Sequence, residues 1–252
     1  MSLQQVDELI SKLSKKALKF DLFIKECKNI EELKDYDLDV ETLELLGLNL
    51  ILDKNNEINL KTKTTKIKDE IFCIIDIETT GSIKNGKILE IGAIKIQNYK
   101  EIERFNTLIK VKEIPENITQ LTGINLSMLE NSPSIKEALN KFKLFLKNSI
   151  FVPHNVKFDY NFLSNSLYEN NYGILLNRKL CTIDLAKRCI NSQKYGLNSL
   201  KEILNIQNEH HRALNDALSA CEILKYCLSK LPYHVKTTEE LLSFSKSNIS
   251  KN

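Results

Sequence analysis

Asp76-Ile77-Glu78 closes an apolar run, Ile71-Phe72-Cys73-Ile74-Ile75, of the kind that forms a strand buried on both faces. Side chains two apart on a strand share a face, so both carboxylates project together from its end. Thr79-Thr80-Gly81 follows, a turn whose small side chains and exposed amides let a polyanion approach the acids. A second cluster, His154-Asn155-Val156-Lys157-Phe158-Asp159, leaves the short strand Ile150-Phe151-Val152 after Pro153 and opens a helix. Asp159 falls in the first turn of that helix, where an anion is favoured. The third cluster is His211-Arg212-Ala213-Leu214-Asn215-Asp216-Ala217. Five helical residues turn about 140°, so His211 and Asp216 converge only if His211 lies on the loop entering the helix. Asn205 to Glu209 has that loop character. Taken singly, each cluster has an ordinary explanation: two acids where a strand becomes a loop, a stabilising acid at a helix start, a hydrogen-bonded or solvated histidine.

Together, Asp76, Glu78, Asp159 and Asp216 would form a four-carboxylate site. At ~4 Å and an effective dielectric of ~20, each like-charge pair costs roughly 4 kcal/mol. Such a site must take up protons or cations. All-oxygen ligands favour hard Mg²⁺ or Mn²⁺ over zinc. Two such ions about 3.5–4 Å apart can hold the attacking and leaving oxygens of a phosphodiester in line. His211 is then the general base, since an imidazole titrating near its ordinary pKa of about 6.5 suits proton removal from water near neutrality. Activity is expected to rise with pH through that region.

Asp-x-Glu-Thr-Thr-Gly after a buried strand, His-Asn-x-x-Phe-Asp and His-x-Ala-x-x-Asp-Ala, in this order and spacing, resemble the DEDDh 3′–5′ exonucleases. Within that superfamily the Thr-Thr-Gly form is most similar to the epsilon, or proofreading, subunit of bacterial DNA polymerase III. The resemblance covers about Ile71 to Leu231, and Leu121-Thr122-Gly123-Ile124 fits a loop common in epsilon-like members. Pro153 stands where a small residue is usual, and Lys157 adds a positive charge inside the second motif. Neither is a ligand position. The resemblance implies an α/β, RNase H-like fold: a mixed five-stranded sheet flanked by helices, its second strand antiparallel. It implies two ions, Mg²⁺ or Mn²⁺, with Asp76 bridging both and Asp159 reaching one. It implies removal of nucleotides from DNA 3′ ends, in proofreading or repair. On the substrate side it points to Thr79, Thr80 and Gly81, whose backbone could hold a 3′-hydroxyl, and to Leu121, His154, Asn155 and Phe158. Leu121 and Phe158 could stack on or wedge the terminal bases.

Expected partners are single-stranded DNA 3′ ends, with RNA the alternative, and a DNA polymerase subunit. An exoribonuclease of the same superfamily is the runner-up, because no identifiable residue must read a 2′-hydroxyl. A non-catalytic module on a decayed nuclease scaffold is disfavoured, since all four acids and the histidine are present.

The chain that must position these residues reads as two units and a tail. Residues 1–69 form a small helical unit with a hairpin and linker. Leu3, Val6, Leu9, Ile10 and Leu13 share a helical face, Asp21 to Lys28 and Val40 to Leu46 are further helices, and Leu50 to Leu60 is a β-hairpin. Three helices and a hairpin resemble a winged helix. Lys61 to Asp69 reads as a polar linker. Residues 70–231 hold the three clusters, with strands expected at 71–75, 88–96, 102–111, 150–152 and 179–183 and helices between. Residues 232–252 read as a polar tail, disordered but for a helical patch at Glu239 to Phe244. The first 70 residues carry a net charge of −3 and the remainder +6, so the units differ in sign. Residues 31–44 hold seven acids against one Lys, which argues for a protein-docking or intramolecular role of that unit, with a wing-type DNA contact second. No stretch approaches the roughly 18 apolar residues that span a bilayer, and the first 19 residues lack the pattern of a signal peptide. Six cysteines without a Cys-x-x-Cys pair read as reduced thiols, so a cytoplasmic location is expected.

Overall fold

The computed structural model describes residues 3–207 and 211–247. Its first part runs α1 (Leu3–Lys15), β1 (Leu18–Lys19), α2 (Phe20–Lys28), α3 (Val40–Leu45), β2 (Leu50–Leu52) and β3 (Glu57–Leu60). Val6, Leu9, Ile10 and Leu13 bury one face of α1 against Phe23 of α2 and Ile58 and Leu60 of β3. The Asp39 side chain caps α3 by accepting the Thr42 N–H at 2.7 Å. Asp53 closes the hairpin, its carboxylate accepting the N–H of Asn55 (2.8 Å) and of Glu57 (2.9 Å). β3 pairs antiparallel with both β1 and β2, giving the order β1-β3-β2. Helix, strand, two helices and a hairpin in this order are the topology of a winged helix.

The second part follows as β4 (Phe72–Thr79), β5 (Ile88–Gln97), β6 (Lys100–Leu108), α4 (Glu116–Thr122), α5 (Leu126–Leu129), α6 (Ile135–Leu146), β7 (Ile150–Pro153), α7 (Val156–Glu169), α8 (Thr182–Cys189), α9 (Leu197–Leu204), α10 (Ala213–Ser229) and α11 (Thr238–Lys246). The sheet order is β6-β5-β4-β7, antiparallel except for the parallel pair β4/β7. β4 is apolar from Phe72 to Ile75 because both its faces are covered there. Phe72 and Ile74 enter the core beneath α8, α10 and α11, whereas Cys73, Ile75 and Ile77 enter the core beneath α6 and α7. The strand expected over 179–183 is reduced to one parallel bridge, Phe151 with Lys179. Two hydrogen bonds make it, Phe151 N–H to Arg178 O (2.8 Å) and Leu180 N–H to Phe151 O (2.9 Å). α8 begins at Thr182, and Pro153 has no N–H with which to extend the pairing.

The two parts interlock. Ile174 and Leu176, on the loop after α7, complete the core of the first part, and Leu176 N–H donates to Leu46 O at 2.7 Å. Gly47, at φ +110°, lies so close to Asn177 that a Cβ there would sit 2.0 Å from its Oδ1. Asn177 Nδ2 donates to Lys147 O (2.8 Å) and Ser149 O (2.9 Å), just before β7. The first part is thus seated where β4 and β7 begin, and the acids lie where β4 ends.

Lys61 to Asp69, expected as a linker, forms two 3₁₀ turns, and the tail, expected to be disordered, folds onto them as α11. Thr237 and Glu240 form a capping box, Thr238 N–H donates to Thr65 O (2.9 Å), and Thr62 Oγ1 donates to Glu239 Oε2 (2.8 Å). Glu239 also pairs with Arg178. Leu241 is wholly buried. Composition alone marks this segment as polar, and its order comes from contacts with residues some 175 positions earlier. Leu241→Ala is therefore expected to cost about 2–5 kcal/mol, read as a lower urea midpoint; an unchanged midpoint would place α11 outside the cooperative fold.

Candidate active site

Asp76 pairs across the sheet with Gly92, and Glu78 with Glu90, so all four positions share one face at the end of β4. Gly92 lets α10 lie on that face. A Cβ there would stand 2.1 Å from Leu214 N and 2.3 Å from Ala213 C. Glu90 secures the same helix end. It is wholly buried, takes two bonds from Arg212 (Nε 3.1 Å, Nη2 2.9 Å), and accepts the Ala213 N–H at 3.1 Å. The first turn of α10 then sets Asp216 beside β4, and ligand oxygens of Asp76, Glu78 and Asp216 all lie within 4.8 Å of one another.

Asp159 stands in the first turn of α7, 4% exposed, near enough to Asp76 for the two charges to act on each other. His211 occupies the turn entering α10 at φ +60°, and its N–H donates to Asp216 Oδ2 at 3.3 Å. That left-handed conformation is costly for a residue with a side chain. Residues 208–210, part of the loop read from the sequence, lie outside the described residues.

The electrostatics of Asp76, Glu78 and Asp159 are those of buried acids set among other acids. Burial, then Asp159, Glu78, Asp216 and Glu90, push the Asp76 carboxyl well above the usual carboxylate range. Burial, then Asp216 and Glu90, raise Glu78 to about 7 against the opposing pull of Arg212. Burial raises Asp159 to about 8, although its own N–H and that of Ile77 oppose the shift. Asp76 and Glu78 nonetheless keep an edge open to solvent. Lys201 acts on Asp216 and Arg212 on Glu78, and beside them three convergent carboxylates, all-oxygen, fit a hard divalent cation.

These shifts have a sign for stability. An acid whose pKa is raised by folding stabilises the fold fully below its unfolded value, near 4, and loses that contribution as pH rises through its folded value. In EDTA, Tm is expected to fall as pH is raised from about 5 to about 9, through the values of Glu78 and Asp159. Mg²⁺ or Mn²⁺ should flatten the fall, because a bound cation stabilises the ionised acids. Melts that are the same with and without the ions would count against a cation site.

The remaining sequence candidates divide. The Thr79 hydroxyl donates to Gly81 O (2.8 Å), and Thr80 Oγ1 accepts the Lys87 N–H (2.9 Å), so both close the turn that carries the half-exposed Gly81. Asn155 is exposed at the start of α7, and Leu121, 51% exposed, lies in the last turn of α4. Phe158 is half-buried, its ring 5.7 Å from that of Phe162. His154, the remaining candidate, is turned into the fold. It is buried, its Nδ1 is bonded to Thr182 Oγ1 (2.8 Å) and its Nε2 to Tyr195 O (3.1 Å), and burial lowers its pKa to about 4. A neutral ring with both nitrogens engaged ties the loop before α7 to α8.

Glu90, Gly92 and Arg212 were missed by motif reading. Gly92 alone left a signal, since a glycine inside a strand marks a close backbone approach.

The mixed sheet carries, at the end of β4, acids with the donor set of a divalent-cation site. The chain belongs to the exonuclease family whose model, RNase_T, matches residues 73–224. It is 40% identical over 159 residues to the DNA polymerase III PolC-type of Clostridium perfringens, covering 62% of this chain and 11% of that one. It is 37% identical over 178 residues to the counterpart in Thermotoga petrophila, covering 69% and 13%. The chain thus spans little more than a tenth of the length of these relatives. Among solved structures, E. coli Exonuclease I in complex with a dT13 oligonucleotide shares the fold with a TM-score of 0.57, at 18% identity over 64% of this chain and 42% of that one. Exonuclease X in complex with 5′ overhanging duplex DNA gives a TM-score of 0.52, at 23% identity over 69% and 99%.

Proposed function

We propose that this chain is a 3′–5′ exonuclease that hydrolyses nucleotides from DNA 3′ ends, in proofreading or repair, with two divalent ions, Mg²⁺ or Mn²⁺, held by Asp76, Glu78, Asp159 and Asp216. The observation that carries the reading is the convergence of carboxylates from β4 and α10 within 4.8 Å at the open end of the sheet. Bound there, the ions would offset the charge that builds on the phosphodiester as it is cleaved. His211, beside Asp216 at the mouth of the site, takes the proton from the attacking water. The Gly81 turn faces the strand terminus, with Leu121 and Phe158 against the terminal bases and Asn155 at the start of α7.

The DNA polymerase III relatives support a polymerase as partner and the dT13 complex of the structural neighbour supports single-stranded DNA as substrate. We read residues 1–69 as a docking unit for protein, residues 70–231 as the nuclease and residues 232–252 as a tail whose α11 braces the two. No helix among the described residues is long and apolar enough to cross a membrane, and six free cysteines accord with a cytoplasmic protein.

Digestion of matched, end-labelled single-stranded DNA and RNA, with and without Mn²⁺, tests the reading. DNA shortening from its 3′ end only with the ion is the expected result. Faster loss of RNA would make the chain an exoribonuclease, and no digestion of either would overturn the proposal.

A further inference from the structure

Arg212 lies beside the carboxylates with its side chain partly exposed, and its role at α10 leaves part of it unused. One edge of the guanidinium is fixed on the buried Glu90 carboxylate, through Nε at 3.1 Å and Nη2 at 2.9 Å. Nη1 makes no hydrogen bond among the described residues, and the side chain is 36% exposed. Glu90 sits directly across the sheet from Glu78, so the group lies at the rim of the acid cluster, close enough for its charge to act on Glu78. His211 immediately precedes it in the chain, and the N-terminus of the 17-residue α10 follows.

A lone surface arginine samples many rotamers. This one is locked by a planar two-point bond, which aims its remaining N–H groups outward before any ligand arrives. A site built of carboxylates repels a polyanion, and a fixed guanidinium beside it supplies an attractive contact of matching geometry. Propping α10 does not need that exposed edge, since the Glu90 carboxylate also takes the Ala213 N–H directly. We infer that Arg212, oriented by Glu90, is a phosphate-binding residue that grips the backbone of the nucleic-acid strand at the mouth of the site. The inference rests on the nuclease reading above and names a contact that the sequence motifs did not include.

The test is the salt dependence of binding. The full chain carrying Asp76→Asn, with Mg²⁺, is titrated against a fluorescein-labelled single-stranded oligodeoxynucleotide over a salt series, so that the strand is not consumed. Arg212→Gln alone strands a buried carboxylate, so the double variant Glu90→Gln/Arg212→Gln is measured beside it. Loss of one phosphate contact should lower the slope of log affinity against log salt by about 0.7 and weaken binding at low salt. Arg212→Lys, which keeps the charge, should retain the slope. A slope unchanged in the double variant would overturn the inference and leave Arg212 as a prop for α10. If the unmodified chain digests nucleic acid while the slopes agree, only this contact falls. If it neither binds nor digests, the nuclease reading falls and takes the contact with it.

Discussion

Asp76→Asn is expected to yield a folded protein that has lost digestion of nucleic acid and melts at a higher temperature than the parent in EDTA. The two effects have one origin. Asp76 is held among Asp159, Glu78 and Asp216, with burial the largest reason its ionised form is disfavoured. An amide of the same shape removes that charge without leaving a cavity, so the metal-free fold gains stability, about 2–4 °C in Tm for each kcal/mol in a chain of this size. The same change takes away a ligand oxygen from the centre of the cluster. Activity should drop at least about a thousandfold, as when a group that acts in the transition state is removed. The rise in Tm produced by Mn²⁺ should shrink with it. A variant that still digests DNA in a metal-dependent way would refute the assignment of Asp76, and a variant that melts lower would refute the account of its burial.

Gly92→Ala is expected to damage the enzyme from a residue that touches no substrate. The added methyl would fall 2.1 Å from Leu214 N and 2.3 Å from Ala213 C, both backbone atoms of the first turn of α10. No rotamer change relieves that contact, so the helix end must move off the sheet. Overpacking of this kind costs about 1–3 kcal/mol. The chemical cost is larger, because Asp216 and His211 move with the helix end. A displacement near 1 Å costs about a hundredfold in rate, and kcat should carry most of it. Gly196→Ala is the control, since a methyl there meets nothing within 4 Å. Equal effects of the two substitutions would show that close packing at Gly92 is not what matters.

The acid-bearing strand was legible because burial on both faces leaves an uninterrupted apolar run, and Ile71 to Ile75 is one. α6 was legible for a similar reason: Leu139, Phe142 and Leu146 form one buried stripe, and Ser134 opens the helix with a capping box. Other features left no such trace. β1 is two residues long and shows no period. The fifth strand faded to one bridge because α8 starts at Thr182, a boundary that local propensity does not fix. His154 is polar in a motif of polar residues, and only the fold shows that Thr182 and Tyr195, 28 and 41 positions later, engage its ring. The order of α11 and the pairing of Glu90 with Arg212 likewise depend on partners brought close by topology, 122 positions apart in the latter case.

The seat of the winged-helix part has a consequence for how the molecule is shared between tasks. It grips the sheet through Leu46, Leu176 and Asn177, where β4 and β7 enter, and the carboxylates open where β4 leaves. Eight residues of strand separate the two ends, a run of roughly 25 Å at about 3.3 Å per residue. If the proposed roles hold, a partner seated on residues 31–44 would leave the far end of β4 clear, and anchoring and trimming would not compete for the same surface.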